Sequence, residues 1–420
     1  MDPKAFNLKK NYYIISTLNI ILKLMGLFYK LFRIRFERGY KNNRIIMIGN
    51  THIGDILMLT PALQFTKNNL PSSEIICIVS ETSQAILTEN HNVDKLGIIN
   101  LPWLGETSDG LVHNIKSFIR YLKYLKKHEA ETAINFNSTG YHIDHLAMWL
   151  AGIPNRIGFS HKGFNHLLTV KVPFVPNELI PLQKIRMVSY WLKKTYIPYS
   201  LKPDYFVSTE AIKRAENLLS SLTLDYNKLT IGINIGANHN FLWPDSYFIE
   251  LCKLLNGRWP LNIVFIGTAK DMLTANKIMS QLSFKTFSLV GMTTLGDVAG
   301  TIKLLDMLIT VDTGVRHLAN AVGTFVIVLR NGANSIYEFG KYVNSEEIIF
   351  NKVFCSPCGK TICPYGSLEC MTGIRPETVV SLVGEKIKDI LENKGLSTEP
   401  LAKIIRITGR HKATARPWES

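Results

Sequence analysis

Residues 311–322 read VDTGVRHLANAV, and their types and spacing suit the binding of an anion. An apolar run at 307–310 leads into Asp312, Thr313 and Gly314. Small and apolar residues then recur at helical spacing, at Val315, Leu318, Ala319 and Val322. The pattern predicts a strand, a tight turn and a helix, with Asp312 or Thr313 at the N-cap. A helix start leaves backbone N–H groups without intrahelical acceptors and carries positive partial charge. Gly314 lets an anion approach the backbone, and His317 lies one turn in. A capped helix that simply follows a strand fits the same residues.

A second carboxylate sits in a comparable place. The apolar run RIIMIG at 44–49 is followed by NTHIGD, so Gly54 and Asp55 fall at the carboxyl end of a strand. Open α/β sheets bind their ligands there. An Asp at a helix start is favoured in its ionised form, as a proton acceptor must be, although plain capping uses the same position. Four of the six cysteines cluster as Cys355, Cys358, Cys363 and Cys370. C-x2-C-x4-C-x6-C could offer four thiolates to zinc, but the spacing is not that of common fingers or ribbons. Packed free thiols in a reducing compartment are the favoured reading, with no metal and no cofactor. Cys77 and Cys252 lie in apolar runs and read as core thiols.

The elements that must hold these groups alternate. Apolar runs at 44–49, 75–79, 96–99, 132–136, 156–159 and 168–172 are interleaved with helical patterns from Ile56, at 111–127 and at 143–151. A second series has strands at 229–235, 261–266, 286–290, 307–311 and 325–329, with helices at 245–255, 270–282, 294–304 and 376–393. This is the signature of parallel α/β sheets with helical crossovers, here in two domains. Two prolines and weak periodicity mark the join near Tyr196–Tyr205. No G-x-G-x-x-G follows either first strand and no Walker A loop is present, which disfavours a dinucleotide oxidoreductase and a P-loop enzyme.

The chain has 420 residues and a net charge of +15. Most of that charge sits at the ends, in residues 1–44 and 395–420, and the body is close to neutral. A nucleic-acid reader would carry basic clusters on its folded body, so no nucleic-acid partner is expected. Basic ends fit an anionic membrane surface better. Residues 12–32 are nearly all apolar, and Ser16, Asn19, Lys23, Gly26 and Lys30 fall on one narrow helical stripe. A spanning helix would place Lys23 near mid-membrane, at considerable cost. A helix lying in the interface is favoured, with spanning or packing onto the protein's own body as alternatives. No secretory signal with a small-residue cleavage site is evident. The expected location is therefore cytoplasmic, peripheral on the inner membrane.

Four stretches in order resemble those of the bacterial heptosyltransferases of glycosyltransferase family 9: IGDILMLTPA at 53–62, Gly236-Ala237 running on to Trp243-Pro244, 311–321, and 355–371. The resemblance covers roughly residues 44–391. It implies GT-B architecture, two Rossmann-like domains with a cleft between them. The domains would be 43–196 for the acceptor and 206–394 for the nucleotide sugar, joined by a linker at 197–205. Residues 1–42 would form the membrane-associating helix and 395–420 a basic tail. It further implies inverting, metal-independent transfer of a heptose from a nucleotide diphosphate, usually ADP, to a lipopolysaccharide core or related glycolipid. Asp55 matches the catalytic carboxylate, with Gly54 beside it on the acceptor side. Asp312, Thr313, Gly314 and His317 match the donor-binding turn, Gly236 and Ala237 the phosphate turn, and Asp271, more loosely, an acidic donor contact. An exposed helix-start Asp is an equal reading for Asp271.

One departure stands out. The family's turn commonly carries a lysine two residues before Trp-Pro, where this chain has Phe241. Arg316 is the first candidate to supply the missing charge and His239 the second, although Arg316 could equally face solvent. Alternatives to the main reading are another nucleotide sugar or polysaccharide acceptor, or a binding protein with weakened catalysis.

Overall fold

The computed structural model describes residues 43–49, 52–100, 111–137, 143–161, 163–195, 200–236, 242–360 and 362–393. The expected membrane helix, the basic tail, Ala237, His239 and Phe241 lie outside these residues. Among the described residues no helix is long and apolar enough to cross a membrane.

The chain forms two compact units. The first comprises residues up to Ser208 together with Asn320–Val322 and Ser335–Asn344; the second takes the remainder. The first contains β1 (Arg44–Ile48), α1 (Ile53–Leu57), α2 (Thr60–Asn69), β2 (Glu74–Val79), β3 (Lys95–Ile98), α3 (Leu111–His128), β4 (Thr132–Asn135), α4 (Ile143–Leu150), β5 (Asn155–Phe159), β6 (Val170–Val172) and α5 (Ile180–Leu192). Its strands pair in parallel in the order β3-β2-β1-β4-β5-β6. Helices cover such a sheet on both faces, so its strands read as continuous apolar runs rather than alternating ones. RIIMI of β1 and EIICIV of β2 are accordingly buried almost throughout.

The second unit holds α6 (Thr209–Ser221), β7 (Leu229–Asn234), α7 (Asp245–Arg258), β8 (Leu261–Ile266), α8 (Met272–Ser280), β9 (Phe287–Ser288), α9 (Leu295–Leu304), β10 (Met307–Val311), α10 (Gly314–Val322) as far as Ala319, β11 (Val326–Arg330), β12 (Glu346–Phe350), α11 (Glu369–Thr372) and α12 (Pro376–Asn393). Its parallel order is β12-β11-β10-β7-β8-β9. Strand order reverses between β1 and β4 in the first sheet and between β7 and β10 in the second. Ligands of open α/β sheets bind at the carboxyl ends of strands beside such reversals. The segments after β1, β7 and β10 carry Gly54-Asp55 at the start of α1, Gly236, and Asp312–Gly314 leading into α10.

Differences from the sequence reading are local. The helix expected from Ile56 onward is broken at Met58–Leu59, and that expected over 270–282 opens as a short 3-10 turn, Ala269–Asp271, before α8. α6 escaped notice because it packs through small residues. Ala211 lies so close to α9 that a methyl group on Gly300 would meet the Ala211 carbonyl at 2.9 Å. β12 was missed because it opens with two glutamates, the first of them fully buried.

Trp243 anchors the second core. It is 1% exposed, meets Phe248 edge-on at 4.8 Å, and donates its Nε1–H to the Ile374 carbonyl at 2.9 Å. Trp243→Ala removes that volume and leaves a buried carbonyl unpaired. The expected loss is about 3–5 kcal/mol of stability in urea unfolding.

Candidate active site

The turn after β10 is held by a buried ionic quartet. The Asp312 carboxylate meets Arg316 Nη1 at 3.0 Å and Arg330 Nη1 at 3.2 Å. Arg316 also forks onto Glu346, with Nε and Nη2 at 2.9 and 3.1 Å from its two oxygens. Arg316, Arg330 and Glu346 are fully buried, and the Asp312 side chain is nearly so. Two cations and two carboxylates give a formally neutral cluster, the condition under which charges survive away from water. Burial pushes the Asp312 carboxyl up, but Arg316, Arg330 and His317 outweigh it and hold the group below the usual range. The quartet thus ties the end of β10 to α10, β11 and β12.

This settles where Arg316 points. Its side chain neither faces solvent nor stands as an unpaired cation: its charge is spent on Asp312 and Glu346. Glu346 and Arg330 were not singled out from sequence. The visible signal is an arginine closing one apolar run, VIVLR, and a glutamate opening another, EEIIF.

Thr313 occupies the N-cap of α10 in an extended conformation, yet its side chain makes no capping bond. Thr313 Oγ1 is buried with no partner among the described residues. The first N–H groups of α10 have no acceptor within the helix, so this end presents donors and partial positive charge. His317, 5% exposed, follows one turn in. Burial first, then Arg316, lowers its pKa to about 4, so it is a neutral imidazole at pH 7. The site therefore offers dipoles and a hydroxyl rather than a full charge.

The neighbouring turn after β7 is joined to β10 by Asn234, whose Nδ2 donates to Thr310 Oγ1 at 2.9 Å. Gly236 follows, and a side chain there would clash: its Cβ would lie 2.5 Å from Asp271 Oδ2. Asp271 caps its own turn, accepting from Thr268 N and Oγ1 at 2.7 and 2.8 Å. Of its two sequence readings, the helix-start one describes its place here, and Gly236 lies beside it.

In the first unit His52 is the N-cap of α1, Gly54 is buried, and Asp55 is the first-turn acid, partly exposed. Lys184 Nζ donates to the Asp55 carbonyl at 2.9 Å.

Cys355, Cys358, Cys363 and Cys370 are free thiols lining one cavity with Phe354 and Tyr365. Backbone N–H groups of Leu368 and Tyr365 lead in lowering the Cys363 thiol, while burial raises Cys370. Among the described residues no group of three or more His, Cys, Asp and Glu is disposed to hold a metal ion.

Comparison with known proteins adds the following. The model of glycosyltransferase family 9 (heptosyltransferase) matches residues 120–369. Lipopolysaccharide heptosyltransferase 1 of Campylobacter coli is 24% identical over 363 residues, covering 82% of this chain and 99% of that protein. Among solved structures, a family 9 glycosyl transferase from Veillonella parvula superposes with a TM-score of 0.69 at 21% identity, covering 86% of this chain and 99% of its own. The E. coli ADP-heptose lps heptosyltransferase II gives 0.64 at 20%, with 84% and 99% covered. These likenesses establish the fold as two parallel α/β domains of the GT-B heptosyltransferase kind.

Two outcomes follow for the quartet and its histidine. Glu346→Gln leaves Arg316 buried beside one remaining carboxylate and should cost about 3–5 kcal/mol in denaturant unfolding. An unfolded chain protonates His317 near pH 6.5, the native one near 4. The stability that His317 contributes is therefore full above pH 6.5 and is lost as pH falls towards 4. The loss amounts to about 3 kcal/mol. Urea unfolding of wild type and His317→Asn at pH 7.5 and 4.5 should show the smaller drop in the variant.

Proposed function

This chain belongs to glycosyltransferase family 9, the heptosyltransferases, and from that premise we propose that it moves a heptose from a nucleotide diphosphate, ADP first among candidates, to a lipopolysaccharide core or related glycolipid. The observation that carries the reading is the neutral, rigidly anchored turn after β10, with the helix start of α10 and His317 placed beside a strand-order reversal.

Transfer with inversion needs a base for the acceptor hydroxyl and stabilisation of the departing diphosphate. Asp55 takes the hydroxyl proton as the oxygen attacks the anomeric carbon. The bond to the diphosphate breaks on the opposite face, through an oxocarbenium-like transition state. The N–H groups of α10, the Thr313 hydroxyl and neutral His317 receive the negative charge that develops on the leaving oxygens. Gly236 and Ala237 leave room for the phosphates, with Asp271 alongside as a donor contact. Arg316 and Asp312 act through the turn, fixing where its donors point. Because these donors accept the charge, turnover requires no metal. The basic segment 1–42 brings the enzyme to the cytoplasmic face of the inner membrane, where a lipid-linked acceptor resides.

Asp55→Asn should lower kcat by about 10²–10⁴ while ADP binding, read by calorimetry, is unchanged. Wild-type turnover of ADP-heptose should persist in EDTA. A variant as active as wild type removes Asp55 from the role of base. Activity abolished by EDTA and restored by magnesium removes the metal-free mechanism. Donor binding without turnover in wild type would favour a binding protein that has lost catalysis.

A further inference from the structure

The backbone around Asp55 leaves one carbonyl to be satisfied from elsewhere. α1 stops at Leu57 and α2 begins at Thr60, and across the break the Met58 N–H goes to Gly54 O and the Leu59 N–H to Ile56 O. The Thr60 hydroxyl takes Leu57 O at 2.7 Å. Asp55 O receives no backbone N–H among the described residues; its partner is Lys184 Nζ, from α5. Buried backbone carbonyls are nearly always paired, so this lysine completes the break that sets the pose of Asp55.

Lys184 is an unusual group to spend on that task. It is 6% exposed, whereas lysines are almost never buried without a partner. Burial pulls its pKa down, and the charge that pulls it back up is the Asp55 carboxylate. The other titratable group facing it is the Cys77 thiol of β2, which burial pushes up to about 12 and keeps neutral. Near the start of α2, Asp204 donates its backbone N–H to Thr60 Oγ1, and burial holds its carboxyl up.

We infer that Lys184 is a positioning residue for catalysis: its Nζ pins the α1–α2 break through the Asp55 carbonyl and so fixes where the Asp55 carboxylate stands to receive the acceptor proton. This rests on the reading of Asp55 as the base. The hydrogen bond goes to the backbone oxygen, so it holds the same pose before and after the carboxylate takes the proton.

The test uses the full chain with Lys184→Met, Lys184→Gln and Lys184→Arg, each followed by turnover of ADP-heptose, donor KM and thermal unfolding. Gln keeps a short donor and Arg a long one, and Met keeps none. Met should lower kcat by about 10²-fold, because the base is misplaced, with donor KM within about twofold of wild type. Arg, which can still reach the Asp55 carbonyl, should recover most of that loss in kcat. If Met does not fold, the contrast of Gln with Arg reads whether a donor that reaches the carbonyl is needed. A wild-type kcat in Met, or losses in kcat that follow melting temperature across all three variants, overturns the inference. Asp55→Asn run in parallel separates the two readings. An inactive Asn variant beside a fully active Met variant condemns only the role of Lys184, and an active one condemns the base itself.

Discussion

Much of the second unit's chemistry depends on placing two arginines and two carboxylates in a space without water. Each charge is costly to bury alone, so Asp312, Arg316, Arg330 and Glu346 are tolerated only as a set. Because they come from the end of β10, from α10, from β11 and from β12, satisfying them fixes three strands and a helix at once. The turn is rigid for electrostatic rather than steric reasons. Small residues can then line the open side of the turn, since the anchoring has been moved to the buried side.

On the proposed reading, that arrangement also decides how a phosphate would be met. The arginines nearest the turn are neutralised, and His317 is held in its neutral form by burial and by Arg316. Among the described residues, what the turn would offer a ligand is a set of fixed dipoles. Fixed dipoles cost little reorganisation as charge develops, and they hold a released diphosphate less tightly than a full cation would.

Much of the fold was legible because burial on both faces leaves a plain trace. The strands Leu261–Ile266 and Met307–Val311 and the helix Pro376–Asn393 begin and end where the apolar pattern does. The candidate site was legible wherever its residues are contiguous, as at Gly54-Asp55 and 312–317. What could not be read was partnership at a distance. Glu346 lies 30 residues from Arg316, and Lys184 lies 129 from Asp55. Only the folded sheets bring these pairs together. The break at Met58–Leu59 was equally hidden, since Ile56, Leu59, Ala62 and Leu63 keep helical spacing across it.

The return of Ser335–Asn344 to the first unit has a consequence for biosynthesis. Tyr342 packs in one cluster with Met58 and Ile180, with Phe339 and Val343 against it. The Ile180 N–H at the start of α5 is capped by the Glu338 carbonyl at 2.9 Å. A ribosome therefore releases the first sheet well before the segment that covers Met58 exists. Until β11 has been made, Met58, three residues from Asp55, lacks its Tyr342 neighbour, and α5 begins with an open end. Maturation of the Asp55 region must wait until most of the second sheet has been synthesised, so the first unit is not finished when its own sheet is.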